Sequence, residues 1–250
     1  MDRFAGKVVL VTGASSGLGA ACARLFAAEG AQVLAVARDA GRLSEVAASA
    51  AEAPGSISTH SADLADPDAA AGAVAACVAE HGRLDALVNN AGRHDFRRTT
   101  EVTRDQWRND LAVNLDSVFF TSQAALPHLL ESSGNIVNVA SVAGVIGEAY
   151  SAAYTAAKHG VVGMTKALAV EYARTPVRVN CVCPGGMDTP QAHTIDVPDG
   201  ADWELIMRVA ALRGFMSADQ VARVVAFLAS DDAAAVHGSI LTVDQGHTAG

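Results

Sequence analysis

Residues 7–30 constrain the fold more than any other stretch. KVVLV at 7–11 is a short continuous apolar run, stopped at once by Thr12-Gly13, and reads as a strand buried on both faces. Gly13-Ala14-Ser15-Ser16-Gly17-Leu18-Gly19 is a glycine-rich turn that opens a helical pattern, AACARLFAAEG, with Gly30 as its C-cap. Such a strand, turn and helix can cradle a pyrophosphate. Glycine lets the backbone come close, and the helix start offers free N–H groups and the positive end of a dipole. The spacing is G-x-x-x-G-x-G, not the G-x-G-x-x-G of the dinucleotide fingerprint. Many glycine turns hold no ligand, so the motif by itself leaves both readings open.

The alternation continues. Further strands are expected at 32–37 (QVLAVA), 56–61, 84–89, 135–140 (NIVNVA), 177–182 and 239–243. Helical patterns separate them, at 41–52, after Asp66-Pro67, and at 106–131, 152–173 and 218–229. Strands alternating with helices predict an α/β domain with a parallel sheet of about seven strands, helices on both faces, and a ligand crevice at the carboxyl ends. Polar motifs stand at those ends: Asp63 and Leu64 past the third strand, Asn89-Asn90-Ala91-Gly92 closing the fourth, Ser141 after the fifth. At the end of the second, Ala37 occupies the place of an acidic residue that would bond a free ribose 2′-hydroxyl, and Arg38 follows. An Arg there suits a 2′-phosphate and favours NADP(H) over NAD; the other reading is a solvated Arg38, with Asp39 capping the next helix. No repeat or linker divides the chain, so residues 1–250 are expected to form one domain.

Chemistry is expected between Ser141 and Lys158 (SVAGVIGEAYSAAYTAAK). Tyr154 and Lys158 are four residues apart in an Ala-rich helical segment, so they share a face. At roughly 4 Å and an effective dielectric near 20, the ammonium favours a phenolate by about 4 kcal/mol. That would bring a phenol from about 10 towards neutrality, the range of a general acid and base. Ser141 at a strand end could bond the same substrate oxygen. On spacing alone, the pair is equally a snorkelling Lys beside a half-buried ring.

Composition narrows the classes. The chain has 250 residues, 50% hydrophobic and 18% charged, with a mean hydropathy of +0.23, which suits a globular protein with a substantial core. A net charge of -9 argues against a nucleic-acid partner. Cys22, Cys77, Cys181 and Cys183 have neither Cys-x-x-Cys spacing nor a disulfide framework, and read as small buried hydrophobes, with no metal site expected. No run approaches the roughly 18 apolar residues of a membrane span, and MDRFAGK lacks the apolar core of a signal peptide, so a cytoplasmic location is expected.

With these marks in order, the chain resembles the short-chain dehydrogenase/reductase family over nearly its whole length. They are TGASSGLG at 12–19, NNAG at 89–92, Asn114, Ser141, YTAAK at 154–158 and PGGMDT at 184–189. The separations from Asn114 to Ser141, Tyr154 and Lys158 in turn, 27, 13 and 4, are those of the family's tetrad. The resemblance implies a single Rossmann-type doubly wound domain and an oxidoreductase interconverting a secondary alcohol and a ketone with NADP(H) or NAD(H). It makes Tyr154 the acid and base, and lets Ser141 position the substrate oxygen. Lys158 would lower the Tyr154 pKa and bond the nicotinamide ribose, while Asn114 holds a relay water. It implies cofactor contacts from Gly13, Ser15, Ser16, Gly17, Leu18 and Gly19. Asp63 and Leu64 would meet adenine, and Asn90, Ala91 and Gly92 the ribose side. Pro184, Gly185 and Thr189 would line the nicotinamide and phosphate side. For Asp63 the alternative is an ordinary surface or capping carboxylate. A non-catalytic dinucleotide sensor of the same fold is the other class, disfavoured by the intact tetrad.

Departures from the family pattern are local. Arg93 replaces an aliphatic residue and opens a charged run, Arg93-His94-Asp95-Phe96-Arg97-Arg98, which reads as a solvated loop, or as a contact for a polar or anionic substrate. His94 is expected to be a surface or loop histidine rather than a second acid or base. Glu148 and Tyr150 are expected to face substrate or a neighbouring subunit. Gln245 stands where a glycine is usual. Residues 189–215 are expected to form a substrate lid, with Trp203, Ile206, Met207, Val209 and Ala210 at roughly helical spacing. The helices carrying Asn114 and Tyr154 resemble those through which family members pair, implying a homotetramer or homodimer.

Overall fold

The apolar run after Lys7 becomes β1 (Val8–Thr12), buried along its length, and its residues divide alternately between two layers. Val9 and Val11 enter one hydrophobic cluster, Val8 and Leu10 the other, as the two-residue period of a strand requires. The structure is a computed structural model that describes residues 2–194, 196–208 and 213–249.

The chain continues through α1 (Gly17–Ala28), β2 (Gln32–Ala37), α2 (Ala40–Ala48), β3 (Ser56–Ser61), α3 (Pro67–His81) and β4 (Ala86–Asn89). The second half runs α4 (Arg104–Leu111), α5 (Ser117–Ser132), β5 (Asn135–Val139), α6 (Ala152–Glu171) and β6 (Arg178–Pro184). It ends with β7 (Met187–Asp188), α7 (Pro190–His193), α8 (Trp203–Met207), β8 (Met216–Ser217), α9 (Ala218–Ala229) and β9 (Ile240–Val243). Seven strands form one parallel sheet in the order β3-β2-β1-β4-β5-β6-β9. Helices α1 and α9 pack together on one face, α3 and α5 on the other, as expected for a doubly wound α/β domain. The strand order reverses between β1 and β4, which places a crevice between the glycine turn and the Asn89–Gly92 turn.

Two details depart from expectation. The helix expected over 106–131 is interrupted: between α4 and α5 the turn widens into a π-helical stretch, Ala112–Asp116, with the buried Asn114 in it. Such widened turns occur largely at functional sites, and side-chain bonds stabilise this one: Asn114 Nδ2 donates to Asp110 O at 3.0 Å and Ser117 Oγ to Val113 O at 2.7 Å. The second is a separate two-stranded parallel sheet, in which Met187 pairs with Met216 and Asp188 with Ser217. It clasps together the two ends of the 189–215 excursion. Val209 and Ala210, expected in its helix, lie outside the described residues. No helix among the described residues is long and apolar enough to cross a membrane.

Candidate active site

The glycine turn owes its shape to Gly13 and Gly19. Gly13 has φ +65°, and a Cβ there would stand 2.8 Å from Ala91 Cα; one on Gly19 would stand 2.2 Å from Gly13 O. Any larger residue at either position would push the turn away from β4. Thr12 Oγ1 accepts from the backbone N–H groups of Asn90 and Ala91, both at 2.9 Å, and Asn90 Nδ2 donates back to Thr12 O at 3.0 Å. The two turns are thereby locked together.

A dinucleotide phosphate fits this turn. Helices α2, α3 and α4 are capped by Asp39, Asp66 and Thr103, whereas Ser16 makes no side-chain cap on α1 and no acidic residue enters its first turn. The N–H groups at the start of α1 thus remain for an anion. Arg38 is exposed at the end of β2 and takes part in no ion pair among the described residues, while Asp39 Oδ1 accepts from Arg42 N at 3.0 Å as the cap of α2. Asp63 is exposed, with Oδ1 accepting from Ala65 N at 3.2 Å, and Leu64 is buried.

A cavity of about 470 Å³ joins these elements, within the size range of small-molecule sites. Gly13, Ser16, Gly17, Leu18, Asn90 and Gly92 border it on the β1 and β4 side. Ser141, Tyr154, Lys158, Pro184, Gly185 and Thr189 border it as well. Ser15, Gly19, Arg38, Asp63, Leu64, Ala91 and Asn114 do not line it.

Ser141 follows β5, and its Oγ accepts from Ala143 N at 3.1 Å. One face of α6 presents Tyr154 and Lys158. Lys158 is 3% exposed, and Nζ donates to Val139 O at 3.0 Å while lying 5.6 Å from the Tyr154 ring centroid. Burial pulls the ammonium down to about 8. The expectation that Lys158 brings the phenol towards neutrality does not describe these groups. Burial raises Tyr154 above the ordinary phenol value; the neighbouring Ser141 hydroxyl opposes the rise, and Glu148 adds to it. Helical spacing puts both groups on one face, but burial raises the phenol and the ammonium's short bond goes to a backbone carbonyl.

Asn114 is 1% exposed. Its Nδ2 donates to Arg93 O at 2.9 Å and to Asp110 O, and Oδ1 accepts from Arg93 N at 2.9 Å. Both amide protons are engaged, so this side chain clamps the loop after Gly92, a duty the family resemblance did not suggest. A Cβ on Gly92 would stand 2.9 Å from Asn114 Oδ1 and 3.4 Å from Lys158 Nζ, which explains the glycine.

His94 corrects the sequence expectation most sharply. It lies in a loop, but its ring turns inward and stacks on Tyr154, with centroids 4.2 Å apart and planes at 21°. Its Nε2 is 2.7 Å from Ser151 Oγ and 3.5 Å from Glu148 Oε2. Burial lowers its pKa to about 4 and raises that of Glu148 to about 7. The charged run is also not simply solvated. Arg93 pairs with Asp95, and Arg97 bridges Asp95 and the buried Asp110 at 2.6 Å each. These pairs engage Arg93 and Arg97 within the loop and with α4. The only signal in the sequence was position: His94 follows directly on a turn expected at the crevice.

Glu148 lines the cavity, as do Trp203, Ile206 and Met207 of α8. Trp203 and Met207 remain 59% and 55% exposed, so Ile206, at 7%, is what seats α8 on the core. Tyr150, with φ +60°, instead holds the excursion: its Oη accepts from Asp202 N at 2.9 Å. Nearby, Arg98 donates to Asp199 O at 2.8 Å. Gln245 has φ +56°, a left-handed conformation that accounts for the glycine usual there.

The fold and this crevice define a nucleotide-dependent α/β oxidoreductase class, and comparison with known proteins agrees. Residues 7–198 match the short chain dehydrogenase family, and the chain belongs to it. Similar proteins include the 3-oxoacyl-acyl-carrier-protein reductase of Thermotoga maritima, 38% identical over 98% of each chain. Another is the meso-2,3-butanediol dehydrogenase of Serratia marcescens, 40% identical over 99% of this chain and 96% of the relative. An actinorhodin polyketide ketoreductase variant, solved with NADPH, superposes with a TM-score of 0.87 at 36% identity, over 96% of this chain and 97% of that one. The chain is an oxidoreductase of CH–OH and C=O groups.

Proposed function

We propose that the chain interconverts a secondary alcohol and a ketone with NADP(H) in preference to NAD(H), Tyr154 acting as acid and base. The convergence of Ser141, Tyr154 and Lys158 on a cavity that the glycine turn also borders carries this reading. When bound, the nicotinamide exchanges the hydride and, if oxidised, adds a positive charge that favours the phenolate. In reduction Tyr154 must be protonated, and its burial keeps it so at neutral pH. Its Oη then donates the proton to the carbonyl oxygen, while Ser141 Oγ bonds the same oxygen and orients it. Lys158, on the same face of α6 and with a pKa drawn down to about 8, is able to exchange protons near neutrality.

On the same reading Gly13, Ser15, Ser16, Gly17, Leu18 and Gly19 wrap the pyrophosphate, Arg38 meets a 2′-phosphate, and Asp63 and Leu64 meet adenine. Asn90, Ala91, Gly92, Pro184, Gly185 and Thr189 border the ribose and nicotinamide. The neighbour solved with NADPH supports the cofactor preference, as does Arg38, exposed and in no ion pair among the described residues. Residues 189–215 serve as a lid, hinged at the β7–β8 pair and latched by Tyr150 and Arg98. Exposed Trp107, Phe119 and Val170 on α4, α5 and α6 support pairing of chains through these helices.

Fluorescence titration with each reduced cofactor, followed by nicotinamide absorbance assays on a panel of ketones and secondary alcohols, tests the proposal. Tighter binding of NADPH and turnover of at least one carbonyl are expected. A preference for NADH overturns the use of Arg38, and no turnover with either cofactor overturns the reaction.

A further inference from the structure

The cavity holds a carboxyl that proton transfer at Tyr154 does not use. The Glu148 side chain is 8% exposed and borders the same cavity as Ser141 and Tyr154. Among the described residues it accepts no hydrogen bond: His94 Nε2 lies 3.5 Å away, and that nitrogen makes its short contact to Ser151 Oγ instead, at 2.7 Å. A carboxyl has room for several donors, and the one on Glu148 faces the cavity, so that room is open to a ligand. Its position is also fixed. His94 is held by its stack on Tyr154 and by Ser151, and the loop beneath it by the Arg97 bridge between Asp95 and Asp110.

We propose that Glu148 is a specificity-determining residue that binds a second hydroxyl of the substrate, so that the site prefers diols and hydroxyketones to compounds with a single oxygen. This rests on the alcohol–ketone reaction proposed above. Burial brings Glu148 to about 7, so the acid and the carboxylate are both present at neutral pH. A hydroxyl donates to the carboxylate and accepts from the acid, and so fits both forms. An ammonium fits the anion alone, and a substrate carboxylate the acid alone. Around this polar point the walls are apolar, with Phe96, Val142, Ile206 and Met207 available to a carbon skeleton. Glu148 stands close enough to Tyr154 to disfavour its anion, so the second hydroxyl is placed near the reacting one.

Calorimetric titration separates binding from turnover. The protein carries Tyr154→Phe and is loaded with oxidised cofactor. The ligands are cyclohexanol, the 1,2-, 1,3- and 1,4-cyclohexanediols, and 2-aminocyclohexanol. The best diol is expected to bind about tenfold tighter than cyclohexanol, the size of one hydrogen bond to a charged group. Adding Glu148→Leu should bring that ratio close to one, and Glu148→Gln should keep most of it. Equal binding of cyclohexanol and every diol overturns the proposal, as does a diol advantage that survives Glu148→Leu. Tightest binding of the amino alcohol overturns it too, assigning the carboxyl to an ammonium. The ligand series with Glu148 intact decides by itself should Glu148→Leu misfold. Initial rates of the unaltered enzyme on the same alcohols report separately on the alcohol–ketone reaction: tight diol binding without turnover contradicts that reaction and supports this site.

Discussion

The His94 imidazole lies nearly parallel to the Tyr154 ring, 4.2 Å away, and the same imidazole is 3.5 Å from the Glu148 carboxylate. Two buried titratable groups with opposite habits therefore flank the phenol. Glu148 keeps its proton in the folded chain up to about pH 7, against 4.5 for an ordinary Glu, so its contribution to stability falls as pH rises through that window. His94 stays neutral down to about pH 4, against an ordinary 6.5, so its contribution falls as pH drops from 6.5 to 4. Each slope is at most about 1.4 kcal/mol per pH unit, and in the wild type they largely offset. Urea unfolding across pH should separate them. The stability of Glu148→Gln relative to wild type should rise by about 2 to 3 kcal/mol from pH 4.5 to above 7, and that of His94→Gln by a similar amount from pH 6.5 down to 4. Differences flat in pH would mean that neither group is buried as described.

Arg97 joins Asp95 to Asp110, and Asp110 O in turn accepts from Asn114. Arg97→Leu strands the Asp110 carboxylate, which is 6% exposed. The loss should be about 3 kcal/mol by denaturant unfolding, and Asp110→Asn added to it should recover part of that. An effect below about 0.5 kcal/mol would make the bridge no more than a surface pair.

Gln245 combines a φ of +56° with a buried Oε1 that has no hydrogen-bond partner. Replacement by glycine relieves both and gives up some chain entropy. Gln245→Gly should raise stability by about 1 kcal/mol, read as a higher Tm. A lower Tm would show that Gln245 has a stabilising partner in solution.

Arg38→Ala should weaken NADPH binding by roughly tenfold to a hundredfold, the value of a charge-assisted contact, and leave NADH nearly unaffected. Parallel titrations measure it. Equal loss for both cofactors would indicate a general electrostatic or folding role.

Much of this arrangement is legible in the chain because each polar motif directly ends an apolar run. Ser141 follows NIVNVA and NNAG follows a buried strand, so reading the strands also locates the crevice. The place of His94 is not legible, because a charged run reads as solvated. Its neighbours are charged, but their charges cancel against Asp95 and Asp110, and Asp110 lies on α4, beyond local pattern. The π-helical stretch around Asn114 escaped because the apolar period carries across the widened turn. Two-residue strands such as β7 and β8 are too short to show a period at all. The direction of the Tyr154 shift was misjudged for a different reason: helical spacing gives the separation of two side chains, not the water they have lost.

Single-turnover reduction of a carbonyl substrate by Tyr154→Phe loaded with NADPH tests most directly whether Tyr154 transfers the proton. The hydride-transfer rate should fall by about 10² to 10⁴ relative to wild type, the usual range for loss of a general acid, while NADPH still binds. A rate within about threefold of wild type, far less than loss of a general acid produces, would contradict the assignment.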